Sequence, residues 1–315
     1  MSSIVSNGSP TCTGGEAPGW RALPPEYAIP AVAPSLPEAR RYCERLARSH
    51  YENFSVASWF LPARLRPHFH SIYAYCRISD DLGDEVGDPQ QSLQLLDIWE
   101  RELDACYAGR PRHPVFVALA ETVRACDIPR EPFADLLTAF RQDQRVGRYA
   151  TFEDVLGYCH YSANPVGRLV LYACGYRDQE RQQLSDFTCT ALQLANFWQD
   201  VAVDYGKGRI YLPLEDLRRF EVSEGDIAGR RATSGFLELM RFEVERARDW
   251  FRQGLPLAEK VDAELAIDIE LFSRGGMAIL NAIEAQGFDV LRRRPVISKP
   301  RKLALVARAA WRKVL

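Results

Sequence analysis

Residues 193–213 read QLANFWQDVAVDYGKGRIYLP, and their pattern decides the fold class. Leu194, Phe197, Trp198, Val201 and Val203 give the first half the apolar content of a buried helix. Gln193, Asn196, Asp200 and Asp204 fall at i, i+3, i+7 and i+11, so the polar residues form one stripe along it. Asp200 and Asp204 stand one turn apart. Two like charges side by side on an apolar element are costly unless a cation neutralises them. Gly206 and Gly208 end the helix, Lys207 and Arg209 place two cations directly after it, and Pro213 closes the turn.

Residues 73–85, YAYCRISDDLGDE, repeat the theme. Arg77, Asp80, Asp81 and Asp84 fall at i, i+3, i+4 and i+7 on one helical face, with Tyr73 one turn earlier. A lone Asp-x-x-x-Asp marks a solvated helix face. Two such pairs, one within an apolar helix and flanked by amide side chains, instead point to a polar cavity. Magnesium takes oxygen ligands, commonly a few carboxylates with phosphate oxygens and water. The facing pairs therefore read as a site for Mg²⁺ and a diphosphate, with Lys207 or Arg209 closing onto the anion.

Outward from these stretches the pattern stays helical. Ser35-Leu-Pro-Glu38 reads as a capping box opening a helix over 38–50. Further helices are expected from about 67 to 85, from Asp88-Pro89 onward, and near 113–126, 131–145, 152–160, 163–175, 179–204, 233–253 and 265–286. No alternating strand pattern stands out. The expected fold is all-α, a single-domain helical bundle with a central cavity over residues 35–291. Residues 1–34, rich in Ser, Gly and Pro, are expected to form a disordered or extended tail.

Residues 292–315 form a basic segment with an apolar side. They suit peripheral contact with an anionic membrane or, equally, a helix packed on the bundle. With 315 residues, 47% of them hydrophobic, the chain can bury a large core. A net charge of −2 excludes bulk affinity for nucleic acid. Eight scattered cysteines without a Cys-x-x-Cys disfavour a zinc ribbon or disulfide framework and suit a reducing compartment. No apolar run reaches the roughly 18–20 residues of a membrane span. The start lacks the features of a signal peptide, so a cytoplasmic location, peripheral at the inner membrane, is expected. His68 and His70 read as ordinary partly exposed residues.

The stretches YAYCRISDDLGDE, YCHYSANPVGRL and QLANFWQDVAVDYGKGRIYLP together resemble the squalene/phytoene synthase family. The resemblance spans roughly residues 40–300. HYENFSVASWFLPARLRPH, LLTAFRQDQRVGRYATFEDVLGYCHYSANPVG and TALQLANFWQDV look most like its bacterial hydroxysqualene synthase branch, which belongs to hopanoid biosynthesis. The resemblance implies an α-helical isoprenoid-synthase fold. It implies Asp80 and Asp84 as one Mg²⁺–diphosphate pair, and Asp200 and Asp204 as the other, joined by Asn196 and Gln193. Arg77 and Arg209 match arginines that contact diphosphate, and Tyr158 and Tyr211 match aromatics lining the cavity. His50, Asn53 and Phe54 match a segment closing over the substrate.

For that branch the implied reaction is ionisation of presqualene diphosphate, carbocation rearrangement and capture by water to give hydroxysqualene. Tyr158, Phe54 and Trp198 are expected to stabilise the cation. No NADPH is expected, and no Gly-x-Gly-x-x-Gly fingerprint occurs.

Two departures stand out. Relatives that condense two farnesyl diphosphates commonly carry Arg where this chain has Gln199, and one diphosphate needs less positive charge than two. Asn164 and Pro165 alter the family's Ala-Gly-x-Val-Gly stretch, and Asn164 is a candidate for holding a water. Alternatives are a head-to-head synthase acting on two prenyl diphosphates, making presqualene diphosphate, squalene or phytoene, or a non-catalytic scaffold relative. Both intact Asp pairs speak against the last. Neighbouring hopanoid-pathway enzymes are the expected protein partners.

Overall fold

A computed structural model of the protein describes residues 24–49 and 62–297. The Ser35 N–H and hydroxyl both donate to Glu38 Oε2, at 2.9 and 2.6 Å, and tie down the first turn of α1, Leu36–Ser49. Seven helices follow: α2 Arg66–Asp84, α3 Pro89–Tyr107, α4 Pro114–Cys126, α5 Glu131–Asp143, α6 Phe152–Ser162, α7 Asn164–Ala173 and α8 Gln179–Gly206. The short α9, Leu214–Arg219, and α10, Glu224–Ala228, lead into α11, Ser234–Gly254, and α12, Ala263–Ala285. Caps set the starts: Asp88, Asp178 and Asp262 accept the backbone N–H groups of Gln91, Arg181 and Leu265, each cap contributing about 1 kcal/mol. Among the described residues the fold is all-α, as expected. The one β-bridge among the described residues is an isolated parallel pairing of Arg148 with Ile210. Helices α9 and α10 are absent from the sequence reading, because five or six residues are too few to display a 3.6-residue period.

The apolar faces gather into two main clusters. One unites Tyr75, Ile78 and Leu82 of α2 with Trp99 of α3, Phe116 of α4 and Phe133 of α5. Polar locks hold this side: Trp99 Nε1 donates to Ser79 Oγ at 3.0 Å, and the Tyr75 hydroxyl donates to the Phe133 carbonyl at 2.7 Å. The other unites Leu194, Phe197, Trp198 and Val201 of α8 with Tyr158 of α6, Phe236 and Met240 of α11 and Leu280 of α12. Burying one such side chain contributes about 1.5–3 kcal/mol, so each cluster anchors its own helix firmly. Helix α2 packs on α1, α3, α4 and α5, whereas α8 packs on α7, α11 and α12. The two acidic helices are thus rooted in different cores, with α5 contributing to both: Phe133, Leu136 and Leu137 to the first and Ala139 to the second. No helix among the described residues is long and apolar enough to cross a membrane.

Candidate active site

On α2 the four charged residues do not stay together. Asp81 is buried; its carboxylate accepts from the Tyr27 hydroxyl at 2.7 Å and from the Arg77 guanidinium. Arg77 also reaches Asp80 at 3.4 Å. Asp80, Asp84 and Tyr73 are half-buried. Burial, reinforced by the neighbouring Asp84, pushes the Asp80 carboxyl up to about 6. Asp81 therefore serves to seat Arg77, while Asp80 and Asp84 keep the face between.

Asp84 meets the turn that follows α8. Its oxygens accept from Arg209 Nη2 at 2.9 Å and from Lys207 Nζ at 3.3 Å. Burial alone would raise this carboxyl, but the hydrogen bonds and charges of Arg209 and Lys207 hold it below the ordinary range. The turn is braced from segment 147–150. Ile210 N–H donates to the Gly147 carbonyl at 2.8 Å, Leu214 N–H to Tyr149 at 2.9 Å, and Arg148 Nη1 to the Gly208 carbonyl at 2.7 Å. Two glycines are required. Gly208 has φ +82°, and a Cβ on Gly147 would stand 2.8 Å from the Gly208 oxygen.

The α8 stripe is partly open rather than buried: Asp200 and Asp204 are half-buried, Asn196 is exposed, Gln193 is half-buried, and Val203 is exposed as well. Both Asp200 oxygens are engaged by Arg294, whose Nη2 lies 2.9 Å from Oδ2 and whose Nε donates to Oδ1. Asp204 is pushed up to about 7 by burial and by the charge of Asp200. Asp84 also acts on Asp204 electrostatically, so the two acidic pairs are within reach of one another.

Beside them lies an aromatic group. Tyr211 stacks on Phe197 with ring centroids 3.8 Å apart, and Tyr158 and Tyr149 pack around it at 5.5 and 5.6 Å. The Tyr158 hydroxyl donates to Asp143 Oδ2 at 2.9 Å. Asp143 Oδ1 is buried without a hydrogen-bond partner among the described residues, and burial pushes this carboxyl up to about 6. Trp198 departs from its expected role. It stands about 200° around the helix from Asp200, is wholly enclosed in the second core, and has no free ring face.

Of three further expectations, one lies beyond the described residues and two fall on residues with contacts of their own. His50, Asn53 and Phe54 lie outside the described residues. Arg294, read as part of a basic surface segment, instead pairs with Asp200. That contact supplies a cation where the Arg-to-Gln departure at Gln199 suggests a deficit. Asn164 is buried, and its Oδ1 already accepts from the Thr190 hydroxyl at 2.9 Å.

Asp143 escaped the sequence reading because it belongs to no pair. A signal existed: it ends α5, where the helix dipole disfavours a carboxylate. Asp84 ends α2, and Asp204 lies in the last turn of α8. Three negative helix ends, each bearing an acid, converge on Arg209, which acts electrostatically on Asp84, Asp143 and Asp204.

This setting suits a hard divalent cation. All the donors are oxygen, Asp80 and Asp204 are raised by burial and by a like-charged neighbour each, and the Asp143 oxygen is orphaned. No three His, Cys, Asp or Glu among the described residues form a ready-made cage. Magnesium needs none, since it commonly uses one or two carboxylates and fills its other positions with phosphate oxygens and water. A cleft of about 420 Å³ opens beside Asp84, Asp143, Lys207 and Arg209.

The family model for squalene/phytoene synthase matches residues 47–301. The chain belongs to the squalene/phytoene synthase family. It is 32% identical over 292 residues to 15-cis-phytoene synthase of Synechocystis sp., covering 88% of this chain and 86% of that protein. Among solved structures it is similar to squalene synthase HpnC from Alicyclobacillus acidocaldarius, with 47% identity and a TM-score of 0.77, covering 86% of this chain and 98% of the other. A dehydrosqualene synthase in complex with ligand matches at 26% identity and a TM-score of 0.80, covering 89% of this chain and 98% of that one.

Proposed function

We propose that the protein is an Mg²⁺-dependent lyase converting presqualene diphosphate and water to hydroxysqualene and inorganic diphosphate. The observation carrying this reading is the joining of Asp84 to Arg209 and Lys207, which assembles acids and anion-binding cations at one point. Asp80, Asp84, Asn196, Asp200 and Asp204 hold the metal. Arg77, Arg209, Gln193 and Tyr73 hold the diphosphate and the adjoining substrate, with His50, Asn53 and Phe54 covering them. Bound Mg²⁺ supplies charge neutralisation of the leaving diphosphate.

The C–O bond breaks with its electron pair staying on the departing oxygen, where Arg209 and Arg77 stabilise the new charge. Tyr158, Tyr211 and Phe197 offer π faces to the carbocation while it rearranges. A water oxygen then bonds to the cation. Its proton passes to Asp143, whose Oδ1 has no hydrogen-bond donor among the described residues and can accept it. The similarity to a squalene synthase at 47% identity favours the squalene branch. Sequence beyond Ile297, basic with an apolar side, would hold the enzyme at an anionic inner-membrane surface, beside hopanoid-pathway enzymes that share its lipid intermediates.

A second reading is head-to-head condensation of two prenyl diphosphates. Arg294 favours it, by adding positive charge beside Asp200, as do the phytoene synthase relatives. Product analysis separates the two. Hydroxysqualene from presqualene diphosphate, with no product from farnesyl diphosphate, supports the first. A C30 or C40 hydrocarbon, or presqualene diphosphate formed from prenyl diphosphates, overturns it.

A further inference from the structure

We propose that Gln199 is a positioning residue that aims Arg294 at the second acidic pair. What Arg294 then meets rests on the functional reading above; the geometry does not. Gln199 precedes Asp200 and is buried. A buried amide is costly unless both its ends are bonded. Here both ends are used: Nε2 donates to the Pro295 carbonyl at 2.6 Å, and Oε1 accepts from Arg294 Nη2 at 3.3 Å. One side chain thus holds the backbone of the incoming segment and one nitrogen of its guanidinium. The segment arrives from a fixed point, because Val290 and Leu291 are buried in the second core. Arg294 in turn lays two donors across the two oxygens of Asp200, a fork-on-fork pairing.

This arrangement gives the site a cation that α8 itself lacks. The Arg294 side chain is 51% exposed, so its guanidinium faces solvent from which an anion could approach. Were Asp200 to ligate a divalent cation, the guanidinium, still held at Nη2 by Gln199, would present its remaining donors to the bound anion. Glutamine at 199 therefore relocates a positive charge rather than removing one.

The test is a double-mutant cycle on the full chain. Binding of inorganic pyrophosphate in the presence of Mg²⁺ is read by calorimetry, with melting temperature and circular dichroism checking the fold. Gln199→Met is expected to weaken binding about tenfold, and Arg294→Gln at least as much. The double variant is expected to be no worse than Arg294→Gln alone, the non-additivity of two groups acting as one. Q199R in the R294Q background is expected to recover part of the loss, since a guanidinium again stands beside Asp200.

Should Gln199→Met lose its fold, Gln199→Glu keeps the acceptor for Arg294 but loses the donor to the Pro295 carbonyl, and is expected to weaken binding as well. Losses that multiply in the double variant, or wild-type binding in a folded Gln199→Met or Gln199→Glu protein, would each overturn the proposal while leaving the functional reading intact. A wild-type protein that does not bind Mg²⁺-pyrophosphate would instead overturn the functional reading, and this proposal with it.

Discussion

Arg209 Nη2 donates to Asp84 Oδ1 across 2.9 Å, joining residues 125 positions apart in the chain. The contact ties the end of α2 to the turn after α8, although the two helices are anchored in separate apolar clusters. The protein's chemistry is expected to depend on this junction more than its stability does.

Asp84→Asn and Asp200→Asn are expected to lower kcat by at least about 10³-fold with the helical content unchanged. Chelation by EDTA is expected to abolish turnover reversibly. Activity assays beside circular dichroism check both, and full turnover of the EDTA-treated enzyme contradicts the metal assignment.

Gly147→Ala pushes a methyl group against the Gly208 carbonyl, which would lie 2.8 Å away. Relief requires the turn carrying Lys207 and Arg209 to shift. The expected result is a drop in kcat/KM of about 10²-fold, for a stability loss of only about 1–3 kcal/mol. Steady-state kinetics and urea unfolding compare the two losses. A stability loss without a kinetic one would show that the turn is not needed where it stands.

Tyr158→Phe removes the donor to Asp143 but keeps the ring. Diphosphate release is expected to persist while the product distribution changes, because ionisation precedes water capture. Asp143→Asn is expected to reduce the alcohol product further. Chromatography of the lipid products, with pyrophosphate release measured in parallel, separates the two steps. Equal loss of both readouts in Tyr158→Phe argues against a late role.

Mg²⁺ binding is expected to weaken as pH falls from 8 to 6. Asp204 is pushed up to about 7 and Asp80 to about 6, so protons compete with the metal in this window. Stability without metal runs the other way. Both folded-state values lie above the ordinary 3.8, so the folded chain binds more protons than the unfolded chain between about pH 4 and 7. Their contribution to stability is therefore present at low pH and lost as pH rises through 6–7. Asp84, held low, contributes oppositely, and its share is lost as pH falls below its ordinary range. Melts in EDTA at pH 5.5 and 8, repeated with Mg²⁺, test the sign: the metal is expected to raise Tm more at pH 8.

Much of this was legible beforehand. The long helices and the two Asp-x-x-x-Asp stripes follow from spacing within single helices. Asp81 shows where spacing stops being enough. It shares the arc of Asp80 and Asp84, yet Tyr27, 54 residues away, takes it into the interior. Trp198 looked like a cavity aromatic by its neighbours in sequence, but packing against α11 encloses it.

Sequence alone determined which helices form and which of their faces bear acid, because helical periodicity acts over a few residues and is written in their order. Tertiary structure alone decided that Arg294 lands on Asp200, 94 residues distant, and that Asp143 joins Tyr158 beneath Tyr211. Those meetings depend on how two separate apolar cores close against each other, and no local pattern of residues encodes that closure.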